Sequence, residues 1–288
     1  MIAKLINGNV IANIIYKNIS KKIIKRKLLG LRPPGLAVIL IGNNPASKVY
    51  IRNKHSVCKM LGIMYFQFLF SNNCSENDII KIIDKLNLDT NIDGIIIQLP
   101  LPKNFNYIKV LERIFPDKDV DGFHPYNMGR LAKRIPMMRS CTPKGIMTLL
   151  KEYKINVQGI NATIIGASNI VGRPMALELL LAGSTITVCH RFTNNIQKQI
   201  GQADLLVVAI GKPSLIKGTW IKTGAIVIDV GINKLKDGSI TGDVEFNSAI
   251  NIAKYITPVP GGVGPMTIAS LIENILFATE LHDNFKKN

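Results

Sequence analysis

Short apolar runs alternate along the chain with stretches whose apolar positions recur every three to four residues. In the first half the runs at 36–41, 63–70 and 94–98 have strand length and read as strands. The pattern between the first two predicts a helix over 45–61: Asn44 can cap it, Pro45 suits its first turn and Gly62 can end it. Ser75-Glu76-Asn77-Asp78 is a capping sequence that opens a further helix running through Leu86. A second series follows an irregular stretch, 116–143, that carries proline, glycine and several charges. Its strands are expected at 162–165, 185–189, 205–210 and 225–230, with helices between them. A final amphipathic helix at about 266–282 is expected to return to the first domain. This alternation predicts βαβ units and parallel sheets, hence an α/β fold.

The 288 residues predict two domains, each large enough for its own core. With 47% hydrophobic and 19% charged residues, intrinsic disorder is excluded. No apolar run has the length of a membrane span, and residues 1–8 lack the pattern of a signal peptide. Cys58, Cys74, Cys141 and Cys189 form no metal-ligand spacing, so no metal is expected, and the expected setting is the reducing cytoplasm. The net charge of +17 raises nucleic-acid binding as an alternative. However, the one dense basic cluster, Lys21 to Lys27, has no interleaved aromatics, and Lys is abundant throughout alongside Ile and Asn. A basic surface equally suits anionic small molecules.

Candidate chemistry sharpens the picture at two places. Strand 162–165 runs into Gly166-Ala167-Ser168-Asn169-Ile170-Val171-Gly172-Arg173-Pro174 and then a helix, the corner that cradles a dinucleotide pyrophosphate. Ser168 stands where the second glycine of that fingerprint belongs. The next strand ends at Cys189-His190-Arg191, where an NAD site would place an acidic residue. Arg191 offers instead a planar charged fork for a 2′-phosphate, which favours NADP. Gly211 and Ile232 lie in loops at strand C-termini, the edge where such sheets bind ligands.

The second place is the 45–61 helix, where Ser47, Tyr50 and Lys54 share one face. A Tyr-x-x-x-Lys pair also occurs in short-chain dehydrogenases, but there the glycine turn comes first, and here it follows by more than a hundred residues. What fits is an ordered set: Ser47-Lys48-Val49-Tyr50-Ile51-Arg52-Asn53-Lys54, then Gln98-Leu99-Pro100-Leu101-Pro102, then Asp117 to Pro125, Cys141-Thr142-Pro143-Lys144-Gly145, and Pro258-Val259-Pro260-Gly261-Gly262-Val263-Gly264-Pro265-Met266-Thr267. Together these motifs closely resemble the bifunctional methylenetetrahydrofolate dehydrogenase/methenyltetrahydrofolate cyclohydrolase family, from Ser47 to Thr267.

The resemblance implies an N-terminal three-layer α/β substrate domain (1–140, plus the C-terminal helix 266–288) and a C-terminal Rossmann-like NADP-binding domain (141–265). It implies NADP-dependent oxidation of 5,10-methylenetetrahydrofolate and hydrolysis of the product to 10-formyltetrahydrofolate, in a homodimer with the folate cleft between the domains. Lys54 would be the central catalytic residue, Tyr50 would orient the folate, Gln98 would bond near Lys54, and Asp121 would hold the pterin. Leu99, Pro260, Gly261 and Gly262 would line the folate site, and Gly166, Ala167, Ser168, Arg191, Gly211 and Ile232 would bind NADP. His124 and Cys141 are expected to be structural. The competing readings are another NADP-dependent dehydrogenase, acting on a small polar acid, and a basic nucleic-acid-binding protein.

Overall fold

The computed structural model describes residues 2–102 and 104–285. In chain order the elements are β1 (Lys4–Leu5), α1 (Gly8–Leu28), β2 (Gly35–Ile41), α2 (Pro45–Leu61), β3 (Met64–Phe70), α3 (Glu76–Leu88), β4 (Gly94–Ile97), α4 (Tyr107–Glu112) and α5 (Pro125–Ala132). After these come α6 (Cys141–Glu152), β5 (Asn161–Ile165), α7 (Gly172–Leu181), β6 (Thr185–Cys189), α8 (Ile196–Gly201), β7 (Leu205–Val208) and β8 (Ile226–Asp229). The chain ends with β9 (Asn233–Lys234), β10 (Ile240–Thr241), α9 (Phe246–Ala249), β11 (Tyr255–Ile256) and α10 (Val263–Phe285). Two compact units result: Ile15–Arg139 with Leu271–Asn288, and Met1–Ile14 with Ser140–Ser270.

The first of these units is built on a parallel sheet of order β3-β2-β4. Every residue of β2 is buried, as a strand covered on both faces requires. One face of β2 and β4 presents Ala37, Ile39, Ile41, Ile95 and Ile97, and α3 brings Ile79, Ile83 and Leu86 into the same core. The helix starts where its capping box does: the Ser75 side chain accepts from the Asp78 N–H, and the Asp78 carboxylate accepts from the Ser75 N–H. Asn44 Oδ1 likewise accepts from Ser47 N–H at 3.1 Å at the start of α2, and Gly62 ends that helix at φ +75°. Near the end of α10, His282 lies between two carboxylates: its Nδ1 is 3.1 Å from Asp93 Oδ1 and its Nε2 is 2.9 Å from Asp117 Oδ2. Arg32 holds Asp93 through both terminal guanidinium nitrogens.

The other unit carries a parallel sheet of order β1-β11-β8-β7-β5-β6, a Rossmann-like arrangement with Leu206, Val208, Val227 and Ile256 in its core. The sequence boundary put residues 1–14 with the substrate domain, and here the structure differs. Lys4 and Leu5 pair with Tyr255 and Ile256, so β1 belongs to the nucleotide-side sheet. Two residues are too short a run to show period-two patterning, which is why β1 and β11 were not read from the sequence. Helix α1 was missed for another reason. Its buried stripe, Ile11, Ala12, Ile15, Ile19 and Ile23, is blurred by exposed Val10, Ile14 and Ile24. The stretch 116–143, read as irregular, contains α5, which His124 caps by accepting the Tyr126 N–H on Nδ1 at 3.0 Å.

Candidate functional site

Within the first unit, α2 and the end of β4 converge on one lysine. Lys54 is only 8% exposed, and its ammonium donates to Gln98 Oε1 at 3.2 Å. The orientation of that amide is set by its other end, because Gln98 Nε2 donates to the Leu99 carbonyl at 3.0 Å. Ser47 Oγ donates to the same carbonyl at 3.1 Å. The start of α2 and the chain after β4 are thus tied at Leu99, and Gln98 is turned to present an acceptor to Lys54. Tyr50 lies one turn before Lys54 on the helix, and burial pushes its phenol above the ordinary value.

Asp121 adds a carboxylate to this group. Burial raises its pKa, the charge of Lys54 opposes that rise, and Asp119 reinforces it. The loop bearing Asp121 is fixed by Asp119, which accepts from the Phe123 N–H (3.2 Å), the His124 N–H (2.8 Å) and Asn127 Nδ2 (2.8 Å). Cys58, one turn after Lys54 and fully buried, has its thiol pushed up to about 12 by burial, against the opposing charge of Lys54. It is a neutral wall at neutral pH. The arrangement is a cation held by a neutral acceptor near a carboxylate that resists ionisation, which suits moving a proton at a defined place.

In the nucleotide-side unit, β5 runs into the glycine turn at the C-terminal edge of its sheet. Gly166 has φ +119°, and a Cβ there would meet the Ala209 carbonyl oxygen at 2.2 Å. A Cβ on Gly172 would lie 1.9 Å from the Gly166 carbonyl oxygen, so α7 packs against the turn only because both positions lack side chains. Ser168, in place of the second glycine, turns its Oγ inward to accept from the Val171 and Gly172 N–H groups at 3.2 and 3.3 Å. Ala167 contributes its carbonyl to Arg173 Nε at 3.1 Å. Arg191 is exposed, lies 4.6 Å over the Phe192 ring, and makes no salt bridge among the described residues. Gly211 follows β7 at φ +65°, and Ile232 follows β8 with 45% exposure.

Pro260, Gly261 and Gly262 belong to this unit as well, just before α10. The Gly261 carbonyl accepts from the Gly8 N–H at 2.8 Å, and a Cβ on Gly8 would lie 1.8 Å from the Gly262 oxygen. The loop is therefore seated directly on the first turn of α1.

Residues 6–121 match the model of the tetrahydrofolate dehydrogenase/cyclohydrolase catalytic domain, and residues 140–283 match that of the family's NAD(P)-binding domain. The chain belongs to the tetrahydrofolate dehydrogenase/cyclohydrolase family.

Solved structures agree. The bifunctional methylenetetrahydrofolate dehydrogenase/cyclohydrolase of Campylobacter jejuni is 44% identical, with a TM-score of 0.95 over 97% of this chain and 99% of that one. The Trypanosoma brucei dehydrogenase-cyclohydrolase, solved with NADP and an inhibitor, is 33% identical, with a TM-score of 0.93 and 98% of each chain covered. The bifunctional enzyme of Thermoplasma acidophilum is 36% identical, with a TM-score of 0.90 over 98% of this chain and all of that one. Family membership makes the protein a dehydrogenase/cyclohydrolase with a catalytic and an NAD(P)-binding domain. It favours the folate-enzyme reading over the small-acid dehydrogenase and nucleic-acid alternatives.

The sequence reading missed two buried acids of the nucleotide-side unit, Asp229 and Asp243, whose carboxylates collect backbone N–H groups from the loops after β7, β8 and β10. The available signal was glycine: Gly231 and Gly242 both stand where a Cβ would strike one of these carboxylates.

Proposed function

We propose that this dehydrogenase/cyclohydrolase oxidises 5,10-methylenetetrahydrofolate with NADP and hydrolyses the resulting 5,10-methenyltetrahydrofolate to 10-formyltetrahydrofolate. The observation that carries the reading is the hydrogen bond from buried Lys54 to half-buried Gln98 within the family's catalytic domain.

The nucleotide-side residues fit NADP. The side-chain-free turn at Gly166 and Gly172 gives close backbone approach at a helix start. Arg191 is an exposed cation on its aromatic neighbour, with no acidic residue at the end of β6 to repel a 2′-phosphate. NADP, when bound, supplies the acceptor for the hydride. Gly166, Ala167, Ser168, Gly211 and Ile232 hold it, and Arg191 takes the phosphate. Oxidation asks the chain only to align the reactants, because the folate's two flanking nitrogens stabilise the cation left behind.

Hydrolysis asks more of the side chains. Water adds to the methenyl carbon and must lose a proton, and the adduct opens only when the departing nitrogen gains one. Lys54 carries that proton between the two, with Gln98 fixing its position. Tyr50 and Leu99 flank the folate, and Asp121 holds the pterin.

The assembly we propose is a homodimer through β3. That strand is one of the two outer strands of its sheet, Met64-Tyr65-Phe66-Gln67-Phe68-Leu69-Phe70 has no charge or proline, and Leu69 is 67% exposed. The setting is the cytoplasm, on the cysteine usage of the sequence.

Lys54→Met tests the catalytic assignment. Hydrolysis of methenyltetrahydrofolate should fall by about 10²–10⁴-fold, the contribution of a positioned acid–base group. Methylenetetrahydrofolate oxidation should fall far less, so the methenyl compound accumulates and its absorbance reports it. Hydrolysis at the wild-type rate would send the search for the proton carrier to Asp121.

A further inference from the structure

The β9–β10 hairpin leaves β8 and brings the chain back beside the loop that follows β7. Ser214 and Ile216 donate their N–H groups to the Gly242 and Asp243 carbonyls at 3.0 Å each. The return places one carboxylate between two loops. Asp243 Oδ2 accepts from the Ile210 N–H at 2.7 Å and the Gly211 N–H at 2.9 Å, while Oδ1 accepts from the Lys212 N–H and Asn233 Nδ2, both at 2.8 Å. The residue is fully buried. Behind it, Asp229 accepts from the Asp243 N–H (2.9 Å), the Val244 N–H (2.9 Å) and the Gly231 N–H (3.0 Å). A Cβ on Gly231 would lie 2.4 Å from Asp243 Cγ, and one on Gly242 would lie 1.9 Å from Asp229 Oδ2.

We propose that Asp243 is a positioning residue for the cofactor: it fixes the 210–212 and 231–233 loops relative to each other, and so sets Gly211 and Ile232 where NADP needs them. The inference rests on the NADP-binding reading above. A carboxylate suits this place because it alone offers two oxygens that each take two donors. Burying a second acid here opposes ionisation: desolvation and the charge of Asp243 outweigh the pull of three N–H groups and raise Asp229 to about 6. A turn with no further duty could be closed by a neutral amide. Holding two loops from one side chain cannot, because an amide nitrogen at either position confronts two N–H donors with a third.

Asp243→Asn makes that change at constant shape and is tested in the full-length protein. NADP affinity is measured by direct titration, alongside KM for NADP and for methylenetetrahydrofolate and the cofactor-free hydrolysis of methenyltetrahydrofolate. The expected result is a rise of roughly tenfold or more in both Kd and KM for NADP, the scale of losing hydrogen bonds to a charged acceptor. KM for the folate should stay within about twofold, and hydrolysis should fall less than oxidation. Asn233→Ala, which removes one of the four donors, should move the same constants in the same direction by less, and it serves alone if Asp243→Asn does not fold. Wild-type NADP affinity in both variants overturns the proposal, as does an equal loss of both activities with an unchanged Kd. A wild-type protein that reduces no NADP would instead refute the functional reading itself.

Discussion

Replacing His282 by glutamine should make the first unit less stable at pH 6 and leave it almost unchanged at pH 9.5. Burial pulls the His282 pKa down, but its hydrogen bonds to Asp117 and Asp93, and their charges, outweigh that and raise it from 6.5 to about 8. A raised pKa means that the folded state binds the proton more tightly. The stabilisation is therefore complete below about pH 6.5 and is lost as the pH rises through about 8. The side chain is 13% exposed, so solvent screening takes little from this interaction, and the rise is worth about 2 kcal/mol. The partners do not titrate in that window. Burial raises Asp93, but Arg32, His282 and the Gly35 N–H bring it to about 2, and Asp117 is lowered by its bond to His282. Lys118, pulled down by burial, is common to both proteins and cancels in the comparison. Urea unfolding followed by far-ultraviolet circular dichroism across pH 6–9.5 gives the difference directly. The wild type should lose about 2 kcal/mol more than His282→Gln over that range. Parallel pH profiles for the two proteins would refute the reasoning.

Arg191→Ala should weaken NADP by about ten- to a hundred-fold and leave NAD nearly unchanged, since a charge-assisted phosphate contact is worth about 1.5–3 kcal/mol; paired cofactor titrations read this out, and equal losses would remove Arg191 from the phosphate. Gln98→Ala should slow hydrolysis through Lys54, so that adding it to Lys54→Met costs little more, and additive losses in the double-mutant cycle would show that the two act separately. Leu69→Lys places a charge on the exposed outer strand of the first sheet, and light scattering should then show a monomer where the wild type is a dimer.

The elements read correctly from sequence are those whose ends carry their own chemistry. Asn44, Pro45 and Gly62 bracket α2, and Ser75 with Asp78 opens α3, because these residues act within one or two turns of where they stand. Glycines 166 and 172 were legible for the same reason. What escaped depends on partners distant in the chain. Asp243 is one acid in a loop until Ile210, Gly211 and Lys212 are folded against it. His282 is one polar residue near the end of a long helix until Asp93 and Asp117 arrive. Gln98 was placed beside Lys54 by resemblance; the reason it faces that lysine, its bond to the Leu99 carbonyl, exists only in three dimensions.

Strand β1 has a consequence for how the protein is made. Lys4 pairs with Tyr255 and Leu5 with Ile256, so β1 leaves the ribosome about 250 residues ahead of the strand it pairs with. At roughly 5–20 residues per second, translation needs about 12–50 s to deliver the partner. Until then the six-stranded sheet has no place for β1, whose bare N–H and C=O groups remain open to other chains. The substrate-side sheet, with β2, β3 and β4 all made by residue 97, can assemble long before that. A nascent chain stalled before residue 255 should thus carry a formed β3-β2-β4 sheet and a β1 segment still accessible to protease.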